Sequence, residues 1–566
     1  MLFTYDDMPS SALCCLVAEA DLWREALPYS LKCSDKEFVV SLTQSLRSLL
    51  ERLSDAEAKD EDCGGRHLLS FVNRFLLRDI FVKQAAYPGT VADKERWSLS
   101  MIDCIVSFAS HKPTTLLKQR KVSKNSPVRK LLPEQEGWCR DIMVSVLSDD
   151  VIATLSTMMH SLWDNTRTSA YGVLLDTLDY AKENDLALPL VLTNAESLKL
   201  FQARAFHLAS SPRQREADTG ARMISFLCST RKTRDDKFAF LKELSRILQN
   251  RIIMMQSSLG IYNDNECLGS TQSDRLEMPL AHGLIQAVRL IVERTKFGDI
   301  PNAPLLYESL TRICFQAIEV SLVVVADIKE DNKGSEEDGW KNTRVKHGKN
   351  VPLNVNTGAI CANATFTNLD PADDKDKNKH LLKQRVIMGT WLLIKEACAA
   401  LSSITSSSPV KDAGLLSTAG DLLISTLTSL KHQGAAFAAH KSLQKLCSIC
   451  YSRNKVTNIR HLPNDWSEKL LHGISSVEVV RESTLRRSTG YGLGFLSILR
   501  SEEVSPRFLF PHILSAIIRL SLPSASVMKA QLKKWGSSDK DMFVYSKTIA
   551  SEGVQSFVPD SSYQVR

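Results

Sequence analysis

Apolar residues return at steps of three and four along most of this chain, and that spacing predicts helices almost throughout. Phe38, Leu42, Leu46, Leu49, Leu50 and Leu53 share one helical face. Ser34 and Glu37 ahead of them have the spacing of a capping box, so a helix is expected to begin there. Phe238, Leu241, Leu244, Leu248 and Ile252 repeat the pattern, as do Leu284, Val288, Ile291 and Val292. Ile387, Trp391, Ile394, Cys398 and Leu401 form another stripe, and Ile513, Ile517 and Leu520 the last clear one. No alternating run closed by an Asn-Gly or Asp-Gly turn competes with these. Helices recur roughly every 20 to 25 residues, which pairs them into units of about 40. The expected fold is therefore all-α, an armadillo/HEAT-like helical-repeat solenoid, an architecture that offers long surfaces to other macromolecules.

Three stretches lose the stripe. Residues Lys112 to Pro133 are polar and basic, as a loop between repeats would be. Residues Lys329 to Lys379 are rich in charge, Asn and Gly, and read as a surface insertion. The segment from Pro523 to Arg566 reads as a polar tail, with a weak helical signal at Val527 to Trp535.

Composition narrows the function. At 566 residues the chain exceeds what one core usually organises, which suits a repeat array. Its 43% hydrophobic and 24% charged residues are ordinary for a folded soluble protein. The 71 basic against 64 acidic residues leave +7, which permits an RNA partner without demanding one. Thirteen cysteines, an odd number without regular spacing and mostly within apolar stretches, read as reduced core thiols. That points to a cytosolic or nuclear protein, with the cytoplasm as the expected location. The start, MLFTYDDMPS, has no basic region of the secretory kind. The most apolar run, Val320 to Ala326, falls far short of the roughly 20 residues a membrane span needs, so no membrane association is expected.

Catalytic and cofactor motifs are thin. Gly490-Tyr491-Gly492-Leu493-Gly494-Phe495 has phosphate-cradling spacing, but Thr484 to Thr489 ahead of it is polar and basic rather than a buried strand. Cys447 and Cys450 lack the second ligand pair that zinc requires, and their spacing puts both on one helix face as core thiols. His432 and His440, eight apart, read as packing or solvent groups. There is no His-Glu-x-x-His, no Gly-x-Ser-x-Gly and no complete Walker loop. Metal ligands and catalytic residues are therefore expected to be none.

Two basic features remain. Lys118, Arg120, Lys121, Lys124, Arg129 and Lys130 carry six charges with no acid before Glu134, and could follow a phosphate backbone. No aromatics interleave them to stack on bases. Arg486 and Arg487 open an apolar, small-residue helix beside Ser488, Thr489 and Gly490, where a backbone can approach closely. That suits a carboxylate on a neighbouring helix or a phosphate on a partner.

At these residues the sequence resembles the thyroid-adenoma-associated protein family (THADA), which includes fungal regulatory subunits of tRNA 2′-O-ribose methylation. Arg486 to Gly492 (RRSTGYG) is similar to that family's Arg-Arg-Ser-Ala-Gly-Leu-Pro signature, with Thr489, Tyr491 and Gly492 where the family has Ala, Leu and Pro. Gln384 to Leu401 resembles the family's helix with an aromatic followed by Lys-Glu. Leu430 to Cys447 resembles its Lys-His-x-Gly motif, and the helix from Leu305 to Asp327 resembles the entry to its conserved module. On this basis residues 1–304 are N-terminal helical repeats, 305–522 the family module with its insertion at 329–379, and 523–566 the tail. The resemblance implies a non-catalytic adaptor that directs a Rossmann-fold tRNA 2′-O-methyltransferase to nucleotide 32 of the anticodon loop. It places tRNA and partner contact at Arg486, Arg487, Ser488 and Gly490, and S-adenosylmethionine on the partner enzyme alone. Two readings from other classes stand beside it: a protein-only scaffold of the importin or trafficking kind, and an enzyme with an unrecognised site.

Overall fold

The computed structural model describes residues 11–30, 35–59, 65–85, 92–110, 132–258, 280–333, 374–409, 412–430, 432–452, 459–475, 488–502, 507 and 509–521. Among these residues there are eighteen substantial helices and no strand. In chain order they are α1 (Ser11–Ser30), α2 (Lys36–Glu57), α3 (Arg66–Leu69, continuing π-wound over Ser70–Ala85), α4 (Ala92–Ala109), α5 (Pro133–Val146) and α6 (Asp149–Met158). Then come α7 (Asp164–Glu183), α8 (Ala195–Ala209), α9 (Gln214–Thr230), α10 (Arg234–Ser258), α11 (His282–Arg294) and α12 (Ala303–Lys333). The last six are α13 (Asp374–Ser407), α14 (Ala413–Ser429), α15 (Gln433–Tyr451), α16 (Leu462–Ser475), α17 (Ser488–Ser501) and α18 (Leu509–Ser521).

They form two layers. One is an unbroken run in which each helix packs on the next: α2, α4, α7, α9, α11, α13, α15, α17. The other backs it: α3, α5 and α6 behind α4 and α7, then α8 behind α9, α10 and α12 behind α11 and α13, α14 behind α15, and α16 behind α17. A single cluster of buried apolar side chains runs between the layers from Leu13 to Ile513. The fold is an all-α helical-repeat solenoid, as the 3.6-residue periodicity predicts.

Local chemistry sets the helix starts. The cap of α2 is Asp35 rather than Ser34: its carboxylate accepts from the Glu37 and Phe38 amides at 2.8 and 3.4 Å. Asn194, Asp412 and His432 cap α8, α14 and α15 in the same way, and Pro133 takes the first position of α5. The α2 stripe differs from the expected one at its start: Leu46, Leu49, Leu50 and Leu53 are buried as expected, but Val39 is buried there while Phe38 is 40% exposed.

The charged stretch after residue 328 begins later than its composition suggests. Helix α12 continues as far as Lys333, and α13 is helical from Asp374. Residues 334–373 lie outside the described set, as do the tail from 522 and the basic stretch 111–131. The helices on either side of 334–373, α12 and α13, pack directly on each other, so the array continues across that point. Within α13, Ile387–Ser407 is long and apolar enough to cross a bilayer by length and composition, a longer apolar run than Val320 to Ala326. Its apolarity serves packing: 67% of that window is buried between neighbouring helices.

The layers come close around α8. A Cβ on Gly220 of α9 would lie 2.1 Å from the Ala209 amide, and one on Gly283 of α11 would lie 2.3 Å from the Ala209 carbonyl. Two glycines therefore let the C-terminal end of α8 seat against both α9 and α11.

Candidate functional site

Five successive helices of the unbroken layer, α7, α9, α11, α13 and α15, line a groove of about 920 Å³. Each gives it residues at helical spacing: Asp164 and Arg167; Arg215, Asp218 and Arg222; Gln286, Arg289 and Glu293; Lys395, Glu396, Ala399, Ser402 and Ser403; Gly434, Phe437, Ala438, Lys441, Ser442 and Lys445. Seven cations meet four acids, so the lining is net positive.

The charges are sorted by depth. At the α7–α9–α11 end, Asp218 is buried and holds three donors: Arg167 Nε at 2.8 Å, Arg222 through both Nε and Nη2 at 3.1 Å, and Gln286 Nε2 at 2.5 Å. Arg167 also donates to the Ser161 and Leu162 carbonyls and to Asp164, which reaches Arg222 at 3.4 Å. Burial by itself would raise the Asp218 carboxyl, but Arg222 and Arg167 outweigh it and hold the pKa below its ordinary value. Further along, Arg289 bridges Glu293 (3.6 Å) and Glu396 (3.4 Å), Ser403 Oγ donates to Glu293 at 2.6 Å, and Lys395 lies 3.6 Å from Glu396. By contrast Arg215, Lys441 and Lys445 are exposed and form no ion pair among the described residues. Lys445 donates only to the Ser403 hydroxyl, at 3.3 Å. Lys441 Nζ sits 4.8 Å from the centre of the Phe437 ring, which is itself 49% exposed.

The residues singled out by sequence fare differently. Lys118, Arg120, Lys121, Lys124, Arg129 and Lys130, and the pair Arg486 and Arg487, lie outside the described residues. Ser488 is the first residue of α17, with its side chain also outside them. Gly490 is buried, turned towards the Leu427 carbonyl of α14 rather than towards solvent. Cys447 and Cys450 are buried core thiols, and burial pushes Cys450 up to about 12. His432 caps α15 and stacks on Trp391 at 4.4 Å. His440 is buried, with Nδ1 2.7 Å from the Ser497 hydroxyl and 2.9 Å from the Leu493 carbonyl. The groove residues were not anticipated. Their one signal in the sequence is charge at i, i+3 or i+4 (Asp218/Arg222, Arg289/Glu293, Lys441/Lys445) on otherwise apolar helices.

Beside the groove, at the start of α11, His282 is 1% exposed and neither ring nitrogen has a hydrogen-bond partner among the described residues. Burial first, and the Lys395 charge second, push its pKa down to about 4 from 6.5. The folded state thus keeps this ring neutral where the unfolded chain would protonate it. Stability is expected to be full above pH 6.5 and to fall as the pH drops from 6.5 towards 4, by about 2 kcal/mol at pH 5. Melting curves at pH 7 and pH 5 check this: His282→Leu should flatten the acid slope, and an unchanged slope would sink the assignment.

The fold and groove together define a class, the helical-repeat binding scaffolds. Residues 305–544 match the family model described as THADA/TRM732, DUF2428, so that stretch is similar to the THADA/TRM732 family. The match covers the motifs at 384–401, 430–447 and 486–492 and runs past Leu522 to residue 544. No curated protein matches the chain. Among solved structures, a crystal structure of an engineered protein aligns at 13% identity over 87% of this chain and 92% of that one, with a TM-score of 0.22, too low to bear on fold or function. The α13 and α15 walls of the groove lie inside the family segment, and the α7, α9 and α11 walls precede it.

Proposed function

We propose that the chain is a non-catalytic adaptor that directs a Rossmann-fold tRNA 2′-O-methyltransferase to nucleotide 32 of the anticodon loop. The observation that carries this reading is the THADA/TRM732 match over residues 305–544. The groove is consistent with it: a wide, net-positive channel across five helices suits holding a macromolecule better than enclosing a small substrate. In this reading S-adenosylmethionine belongs to the partner enzyme, the complex works in the cytoplasm, and Arg486 and Arg487, directly before α17, engage the methyltransferase or tRNA.

Reconstitution tests it. The purified chain with S-adenosylmethionine and tRNA should transfer no methyl group, and adding the tRNA ribose methyltransferase should place one on the ribose of nucleotide 32. Binding of S-adenosylmethionine by the chain alone, or methylation at 32 by the enzyme alone at the same rate, would overturn the proposal. Co-purification with folded protein cargo and neither tRNA nor methyltransferase would instead support the importin-like scaffold.

A further inference from the structure

The groove neutralises its buried charges and leaves its exposed ones open. Asp218 answers Arg167 and Arg222, and Glu293 and Glu396 answer Arg289. Nothing acidic among the described residues pairs with Arg215, Lys441 or Lys445. Beside Lys441, one turn earlier on α15, stands Phe437, an apolar ring 49% exposed in a charged groove. Unpaired cations beside an open ring are the two components of a single-strand nucleic-acid site: phosphates take the cations and a base stacks on the ring.

We propose that this groove holds a single-stranded RNA segment, with a base stacked on Phe437 and phosphates met by Lys441, Lys445 and Arg215. Lys441 Nζ already lies 4.8 Å from the ring centre. Lys445 follows one turn later, about 6 Å along α15, so both reach the backbone flanking a base stacked there. Arg215 meets the same strand across the groove from α9. An acidic peptide would satisfy the cations but would make no use of the ring. The inference rests on the tRNA reading above and adds the surface that holds the RNA.

The test uses the full chain and an unmodified tRNA transcript, with affinity measured across a salt series. In the triple variant Arg215→Ala, Lys441→Ala, Lys445→Ala, the slope of log affinity against log salt should become shallower by about 2, with at least tenfold weaker binding. Phe437→Leu should weaken binding about tenfold at an unchanged slope. All four side chains are exposed, so circular-dichroism melts should match wild type and separate binding from folding. If wild type binds tRNA and supports methylation while both variants do so equally well, the groove proposal fails and the adaptor reading stands. If the triple variant keeps tRNA but loses the methyltransferase, the groove holds the protein partner and the proposal is overturned. A wild-type chain that neither binds tRNA nor stimulates methylation overturns both.

Discussion

Replacing Asp218 by alanine is expected to destabilise the protein by about 3–5 kcal/mol, the loss that follows when one partner of a buried ion network is removed. Among the described residues the carboxylate is the only buried acid in contact with both Arg167 and Arg222; Asp164, which also reaches both, is 69% exposed along its side chain. Without Asp218, two guanidiniums that are 8% and 9% exposed keep their charge and lose their buried counter-ion, leaving only the exposed Asp164. Neither can shed its proton, so the cost appears as unfolding. The residue also ties α7, α9 and α11 together through Arg167, Arg222 and Gln286, so the loss should spread along the layer rather than fray one helix. Chemical denaturation of Asp218→Ala measures the loss, and Gln286→Ala, which removes one neutral donor, should cost only about 1 kcal/mol. A loss below 1 kcal/mol for Asp218→Ala would mean that water or Asp164 replaces the carboxylate. The pH dependence has a definite sign. Because the folded carboxyl is held below its ordinary value of 3.8, its contribution is present above that pH and lost as the pH falls further. This acid loss therefore sits below the one from His282, which acts between 6.5 and about 4.

How much of this could be read from the sequence follows from where each kind of information resides. Helix identity is local: apolar residues three and four apart fix which face turns inward, and most of the predicted stripes are buried, from Leu46, Leu49 and Leu50 to Leu241, Leu284 and Ile394. The exceptions are at ends. Phe38, at the start of α2, is 40% exposed, and Ile517, in α18, is 36% exposed. The groove is not local at all. Its charged residues come from five helices between Asp164 and Lys445, and each helix contributes only a pair or triplet that, alone, resembles ordinary surface decoration. What makes them a site is the stacking of alternate helices, which places Arg215 opposite Lys441 only after α11 and α13 have been inserted between their helices. The basic stretch at 118–130 stands out on the page because its charges are contiguous, a property of sequence rather than of shape.

Gly490→Val is expected to cost about 3 kcal/mol or more, although the change merely adds three carbons to a helix. A Cβ at this position would lie 2.1 Å from the Leu427 carbonyl oxygen, 2.8 Å from its carbon and 3.3 Å from Thr428 Cα. All three are backbone atoms near the end of α14, which cannot rotate away as a side chain could, so α17 must lift off α14. That motion would pull the buried Phe495 and Ile498 from the core and break the Ser497 hydroxyl's bonds with His440. Gly492, two residues on, is the internal control. Nothing lies within 4 Å of a Cβ there, so Gly492→Ala should stabilise the helix by about 0.5–1 kcal/mol. Opposite signs at two glycines in one Gly-x-Gly run, read from thermal melts, would establish that Gly490 is required by helix packing and not by a phosphate. The same pair bears on the Arg486-Arg487 motif. A methylation defect in Gly490→Val that tracks its lost stability is a packing defect, whereas a defect in Arg486→Ala/Arg487→Ala at unchanged melting temperature reports contact with a partner. Equal tolerance of both glycine substitutions would show that α17 does not seat on α14 as the close approach requires.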